Sequence, residues 1–384
     1  MSKYYYHAVL SAIFLLSANL ALGQKKEVTF NQNYIEKNDH GVAIEINEVQ
    51  ELTYIMFALT QYGLKDSNMV NHNTEYHKRV IDYFSPYANH PSLKLMDSLL
   101  NESIIYYLLI SANAYGYEFD GDILMKTNVY DFPAKGVGSF SLKTDPVLTY
   151  QKEIEDFAQT SNFRKFYRSN NSYFKGIIKD YVEFGAIDKQ KEWLEERFDY
   201  RINSYRVLTS PLVGGINATS TFEDNSFKET LLFLPIIKYN KEWSVEFNEA
   251  MNSRIIFTEI DHNYVGPLSA QYKTRIDSIF DKRNIWVNKE NKSTEHYPNP
   301  IKVFDEYLTW GLFILYAQDH FPGNEELLQK VIDHVNDKMS TKGFPKSIEF
   351  NEELVRLYLA SQTKNIEHLY DDLLTWASGQ NYSK

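Results

Sequence analysis

Thr258-Glu259-Ile260-Asp261-His262 differs at one position from His-Glu-x-x-His. In that helical motif two histidines one turn apart bind zinc and the glutamate activates a water. Glu259 stands where the general base belongs and His262 where the second ligand belongs, but the first ligand position holds a hydroxyl, Thr258. At about 100° per residue the three side chains fall within one arc of a helix. Gly266-Pro267 reads as the stop signal of that helix, predicted over 249–265, because glycine ends helices and proline cannot continue them.

Zinc usually takes three protein ligands, so the shell needs a member from elsewhere. Glu306, with Asp305 beside it, lies on a predicted helix over 301–320 whose apolar residues run all around its circumference, as in a central helix. A carboxylate there is costly unless paired or ligated. The competing account places Asp305 and Glu306 in a first turn, where acids favour the helix N-terminus without any metal. Glu259 itself, Asp261, or one of His77, His90, His296 and His320 are the other candidates to complete a shell, and each of those histidines equally suits a structural role.

These residues need elements to hold them. Val28-Thr29-Phe30 and Val42 to Ile46 have strand-like composition with a turn at Asn38-Asp39-His40-Gly41, and Asn47 can cap a helix after them. Helical patterns fill most of the chain to Tyr200, apart from a glycine-rich stretch over 116–141. Two β-rich runs follow, Tyr205 to Gly215 and Glu229 to Ile237, expected to pair in one sheet. Pro211 and Pro235 predict an edge or a bulge there, since proline cannot donate to a ladder. Amphipathic helices close the chain. The pattern is an α-rich α+β fold, read as one domain over 24–384 with a helical N-terminal subdomain over 24–200.

The first 23 residues have the form of a secretory signal: Lys3, an apolar run from Ala8 to Leu22, and small residues before Gln24. That predicts an exported chain, periplasmic, envelope-associated or extracellular. No later run is long and uncharged enough to span a membrane. Removing 23 of 384 residues leaves 361, and takes the net charge from −11 to −12. An acidic surface without basic clusters argues against nucleic acid and anionic membrane partners. There is no cysteine to form a disulfide, and no Gly-x-Ser-x-Gly elbow or phosphate-binding Gly-x-x-x-x-Gly-Lys loop.

Phe257 to Pro267 resembles the His-Glu-Phe-x-His-x-Phe-Val-Asn-Pro signature of a Bacteroidetes family of exported, zincin-like domains of unknown function. Glu51 to Leu59, His90-Pro91, Ser210 to Gly215, Asp305-Glu306-Tyr307 and Trp310 are similar to further stretches of that family, over about residues 40 to 380. The resemblance implies a gluzincin-type metallopeptidase fold acting on peptide or protein, with Glu259 as base and His262 and Glu306 as zinc ligands. Thr258 departs from it at the first ligand. The expectation is therefore a metallopeptidase-like protein with an altered or lost zinc site, weakly active or a pseudoenzyme. The alternatives are an active metal-dependent hydrolase with a non-standard ligand set, and a peptide- or glycan-binding envelope module.

Overall fold

The computed structural model describes the backbone of residues 12–15 and the whole of residues 27–381. The proposed signal segment falls almost entirely outside them. The chain forms two compact units, one built from residues up to Tyr181 together with Ile202–Ile236, the other from Val182–Arg201 together with Ile237 onward.

The first unit contains a five-stranded mixed sheet in the order β1-β8-β9-β7-β2. Its strands are β1 (Ala12–Leu15), β2 (Val42–Glu45), β7 (Ser204–Ser210), β8 (Ile216–Asp224) and β9 (Phe227–Pro235). Two small hairpins, β3 (Tyr117–Asp120) with β4 (Ile123–Lys126) and β5 (Gly136–Val137) with β6 (Phe140–Ser141), occupy the glycine-rich stretch. The β8–β9 hairpin turns through Asn225 and Ser226, both left-handed at φ 51° and 61°, the two-residue geometry that matches strand twist.

The two β-rich runs do pair. β7 runs parallel to β9 from Ser204 opposite Glu229 to Ser210 opposite Pro235. The edge expected from the prolines is not found: β9 is the central strand and β7 lies between β9 and β2. Pro211 falls just past β7 and Pro235 is the last residue of β9, so neither occupies the middle of the ladder. Val28 makes only an isolated bridge, to Tyr130; the turn expected over 38–41 is found, with the Gly41 amide donating to the Asn38 carbonyl, and a helix, Gln32–Asn38, leads into it. Asn47 caps the next helix, Glu48–Ala58, accepting from the amides of Val49 and Gln50.

The second unit is helical. Its centre is Pro300–His320, which begins with proline at the first position under an Asn299 cap. Every residue from Val303 to Ala317 on it is buried. The helices Val245–Ile260, His262–Gln271, Lys273–Phe280, Glu325–Thr341 and Ser347–Ala360 pack on it. At Gly311 a Cβ would come within 2.7 Å of Leu354 Cδ2, so glycine lets Ser347–Ala360 cross closely. Among the described residues no helix is long and apolar enough to cross a membrane.

Candidate functional site

The helix that begins under Ser244 does not run to Gly266-Pro267. It ends at Ile260, the chain turns at Asp261, and a second helix starts at His262 and carries Gly266 and Pro267 inside it. The break at Asp261 lies two residues before Asn263, whose carbonyl is the one that Pro267 leaves without its usual helical donor. It is stabilised locally: the Asn263 amide side chain donates to the Ile260 carbonyl at 3.0 Å, and the amides of Tyr264 and Val265 close onto the Asp261 carbonyl. Leu268 and Ser269 are buried beyond the proline, and Ser269 meets the Tyr370 hydroxyl at 3.0 Å. Packing therefore holds the helix past a residue that would end it in isolation. The expected spacing of Thr258, Glu259 and His262 on a single straight helix is lost, with Thr258 and Glu259 in the last turn of one helix and His262 opening the next.

Thr258 is buried, and its hydroxyl donates to carbonyls of its own helix, Arg254 at 3.1 Å and Ile255 at 3.3 Å. That is the common behaviour of threonine inside a helix. Glu259 is 2 % exposed, and its charge acts on Arg254, Asp261 and Tyr297. His262 keeps some surface as a residue, but its Nε2 is buried without a hydrogen-bond partner. Burial lowers its pKa to about 4, which leaves the ring neutral at physiological pH.

Glu306 is 1 % exposed and does not lie in a first turn, because its helix starts at Pro300. The helix-end account of Asp305 and Glu306 is thereby corrected; both are buried acids of an established helix. One Glu306 oxygen, Oε1, accepts from Lys342 Nζ and from Trp310 Nε1, each at 2.9 Å. Burial would raise this carboxyl, but Lys342, His262 and the Tyr297 hydroxyl outweigh it and hold Glu306 below the ordinary range. The other oxygen, Oε2, is buried without a hydrogen-bond partner.

Lys342 reaches this place through a helix end. Glu325–Thr341 stops at Lys342, and Gly343, left-handed at φ 93°, turns the chain. The amides of Gly343 and Phe344 then close back on Ser340 and Met339. Lys342 Nζ also lies 4.7 Å from the centre of the Trp310 ring, and the Arg254 guanidinium lies 4.8 Å from it. Two cations on one indole are tolerable because acids compensate them. Burial pulls Arg254 down to about 10 and the charge of Glu259 works against that. Two further acids complete the cluster. Burial, then Glu306 and Glu259, push Asp261 well above the usual carboxyl range. Burial also raises Asp305 to about 6.

The centre is therefore a buried network of four acids, a neutral imidazole, two cations and an indole. The environments push the acids apart, Glu306 downward and Asp261 upward, which is the pattern of acid–base sites and also of structural ion networks. Among the described residues no group of three or more histidines and acids is placed to hold a metal ion. Glu306 is held by an ammonium, and Thr258 turns to its own backbone.

The four histidines considered as extra ligands have other surroundings. His320 bonds Glu249 at 2.8 Å and stacks on Tyr316. His296 is exposed. In the first unit, His77 packs against His72, and His90 accepts from the Ser92 amide and faces Asp156. Exposed aromatics fit a binding groove at Glu259 no better. Tyr239 and Trp243 precede Val245, which begins the helix 14 residues before Glu259, about 21 Å along its axis. Arg254, Lys342 and Tyr297 escaped the sequence reading. Arg254 stands one turn before Thr258 and could have been found by helical spacing, whereas nothing local marks Lys342. A surface cavity of about 620 Å³ is lined by first-unit residues including Tyr62, Asp66 and Asp97 and by none of this cluster. No protein-family model matches the sequence, and no significant match exists among curated proteins or solved structures.

Proposed function

We propose that this chain is a metallopeptidase-like protein whose zinc site has been lost, with the Lys342 ammonium providing the positive charge that a metal would bring to Glu306. The observation that carries this is the 2.9 Å ion pair between Lys342 Nζ and Glu306 Oε1, inside a helical core where a lone carboxylate would be unstable. An ammonium there neutralises the acid but activates no water, so the chain has no peptidase activity at this centre. Export to the bacterial envelope belongs to the same proposal and rests on the N-terminal segment. Zinc titration of the purified full-length chain tests it. Zinc is expected to bind weakly and below stoichiometry, with no peptide cleavage.

A second reading is favoured by one specific feature, the buried and unpartnered His262 Nε2 and Glu306 Oε2. In an active hydrolase with the non-standard set Glu259, His262 and Glu306, cleavage of a broad peptide library would be chelator-sensitive and abolished by Glu259→Gln. Metal-loaded chain that turns over no peptide would rule this out.

A further inference from the structure

Two of the acids that the first unit buries, Glu229 and Glu51, are treated in opposite ways. Glu229, opposite Ser204 at the amino end of β7, accepts from Tyr34 at 2.6 Å, from Ser204 at 2.8 Å and from Tyr130, with the Arg206 guanidinium 3.5 Å away. Its lone pairs and its charge are all answered. Glu51, in the first turn of Glu48–Ala58 and 1 % exposed, has no group in full hydrogen-bond geometry on either carboxyl oxygen, although the Ser210 and Tyr76 hydroxyls stand close to it. Among the described residues no lysine, arginine or histidine forms an ion pair with it.

What surrounds Glu51 is neutral, polar and aromatic. The hydroxyls of Ser210 and Tyr76 face it closely enough to oppose the rise that burial imposes, which brings it to about 7. Tyr54, Tyr76 and Tyr107 all feel its charge, and Ser111 faces Tyr54. The hydroxyls of Tyr76, Tyr107 and Ser111 are likewise buried with no partner in full hydrogen-bond geometry. Tyr54 and Tyr107 lie 5.6 Å apart with tilted rings. So many unanswered polar atoms around one acid are not the composition of a closed core, where buried polar groups are paired.

The position is also specific. Glu51 belongs to the helix that follows β2, and Ser210 is the last residue of β7, parallel to β2. In open sheets ligands bind outside the carboxyl ends of parallel strands. Glu229 lies at the opposite end of the same strands, and that end is filled.

We propose that Glu51, with the hydroxyls of Tyr76, Tyr107, Ser111 and Ser210, forms a binding site for a small organic cation bearing a primary ammonium group. An ammonium has three donors and no acceptor, the complement of a carboxylate ringed by hydroxyls. Aromatic faces add attraction for a cation in a site shielded from water. A single acid among neutral groups suits one positive charge, whereas a divalent metal would call for several anionic or imidazole ligands. Binding ionises Glu51, so at pH 6 it releases a proton, and at pH 8 it releases much less.

The test is calorimetry on the full chain with methylammonium, butylammonium and glycinamide, run at pH 6 in buffers of different ionisation enthalpy. At least one probe is expected to bind saturably with proton release, and Glu51→Gln to weaken it by about tenfold or more, the scale of a lost charge-assisted contact. Tyr76→Phe removes one hydroxyl, keeps the ring, and is expected to weaken the same probe by a smaller factor. Absence of saturable binding by every probe, or equal binding to the Glu51→Gln variant, would overturn the site and leave Glu51 a buried neutral acid.

Discussion

Replacing Lys342 with methionine is expected to destabilise the second unit by about 3 kcal/mol at pH 7, the low end for breaking a buried ion pair because the lysine is partly exposed. Its side chain is 19 % exposed against 1 % for Glu306. Methionine keeps most of the stem packing, so the loss reports the charge. Without the ammonium, Glu306 keeps only the Trp310 donor on Oε1, and its pKa shifts upward as burial takes over. The destabilisation should therefore shrink on acidification, once the carboxyl can bind a proton. Adding Glu306→Gln to the Lys342→Met variant should restore part of the loss, since the uncompensated charge is then gone. Urea denaturation of the two single variants and the double variant measures this coupling. A loss below about 0.5 kcal/mol would class the pair with ordinary surface ion pairs.

The second large effect has the opposite sign. Glu51→Gln is expected to stabilise the ligand-free chain by about 3 kcal/mol at pH 8 and to change little at pH 4, from about 1.4 kcal/mol per pKa unit. The carboxyl is raised from 4.5 to about 7 in the folded chain. A raised acid binds its proton more tightly when folded, so it costs nothing below the unfolded pKa. The cost grows between pH 4.5 and 7 and is level above that. Glutamine has no charge to lose and escapes the cost. Denaturation at several pH values reads the difference directly, and an equal change at pH 4 and pH 8 would show that the charge of Glu51 is not what destabilises the chain.

The parts of the fold legible in the sequence are those set by local rules. The buried helix predicted over 301–320 is found as Pro300–His320, because an asparagine cap, a proline at the first position and an all-round apolar pattern act within one segment. The pairing of β7 with β9 was expected from the β-rich composition of the two runs, but the strand between them in the chain, β8, was not read. Proline misled in both directions. Pro211 and Pro235 sit at strand ends and impose no edge, and Pro267 continues inside a helix that burial of Leu268 and Ser269 holds in place. The site was only half legible. Glu259, His262 and Glu306 do belong to one buried network, but the residue that decides its chemistry, Lys342, lies 36 positions beyond Glu306. It reaches the carboxylate only through the Gly343 turn, which no helical or strand period encodes.

The proposed loss of a metal site is tested most directly by elemental analysis of the full-length chain after equilibration with excess zinc and removal of unbound metal. Clearly substoichiometric zinc, unchanged in the His262→Ala variant, is the predicted result. One tightly held zinc per chain that disappears with His262→Ala would contradict it, and would mean that Lys342 yields Glu306 to the metal.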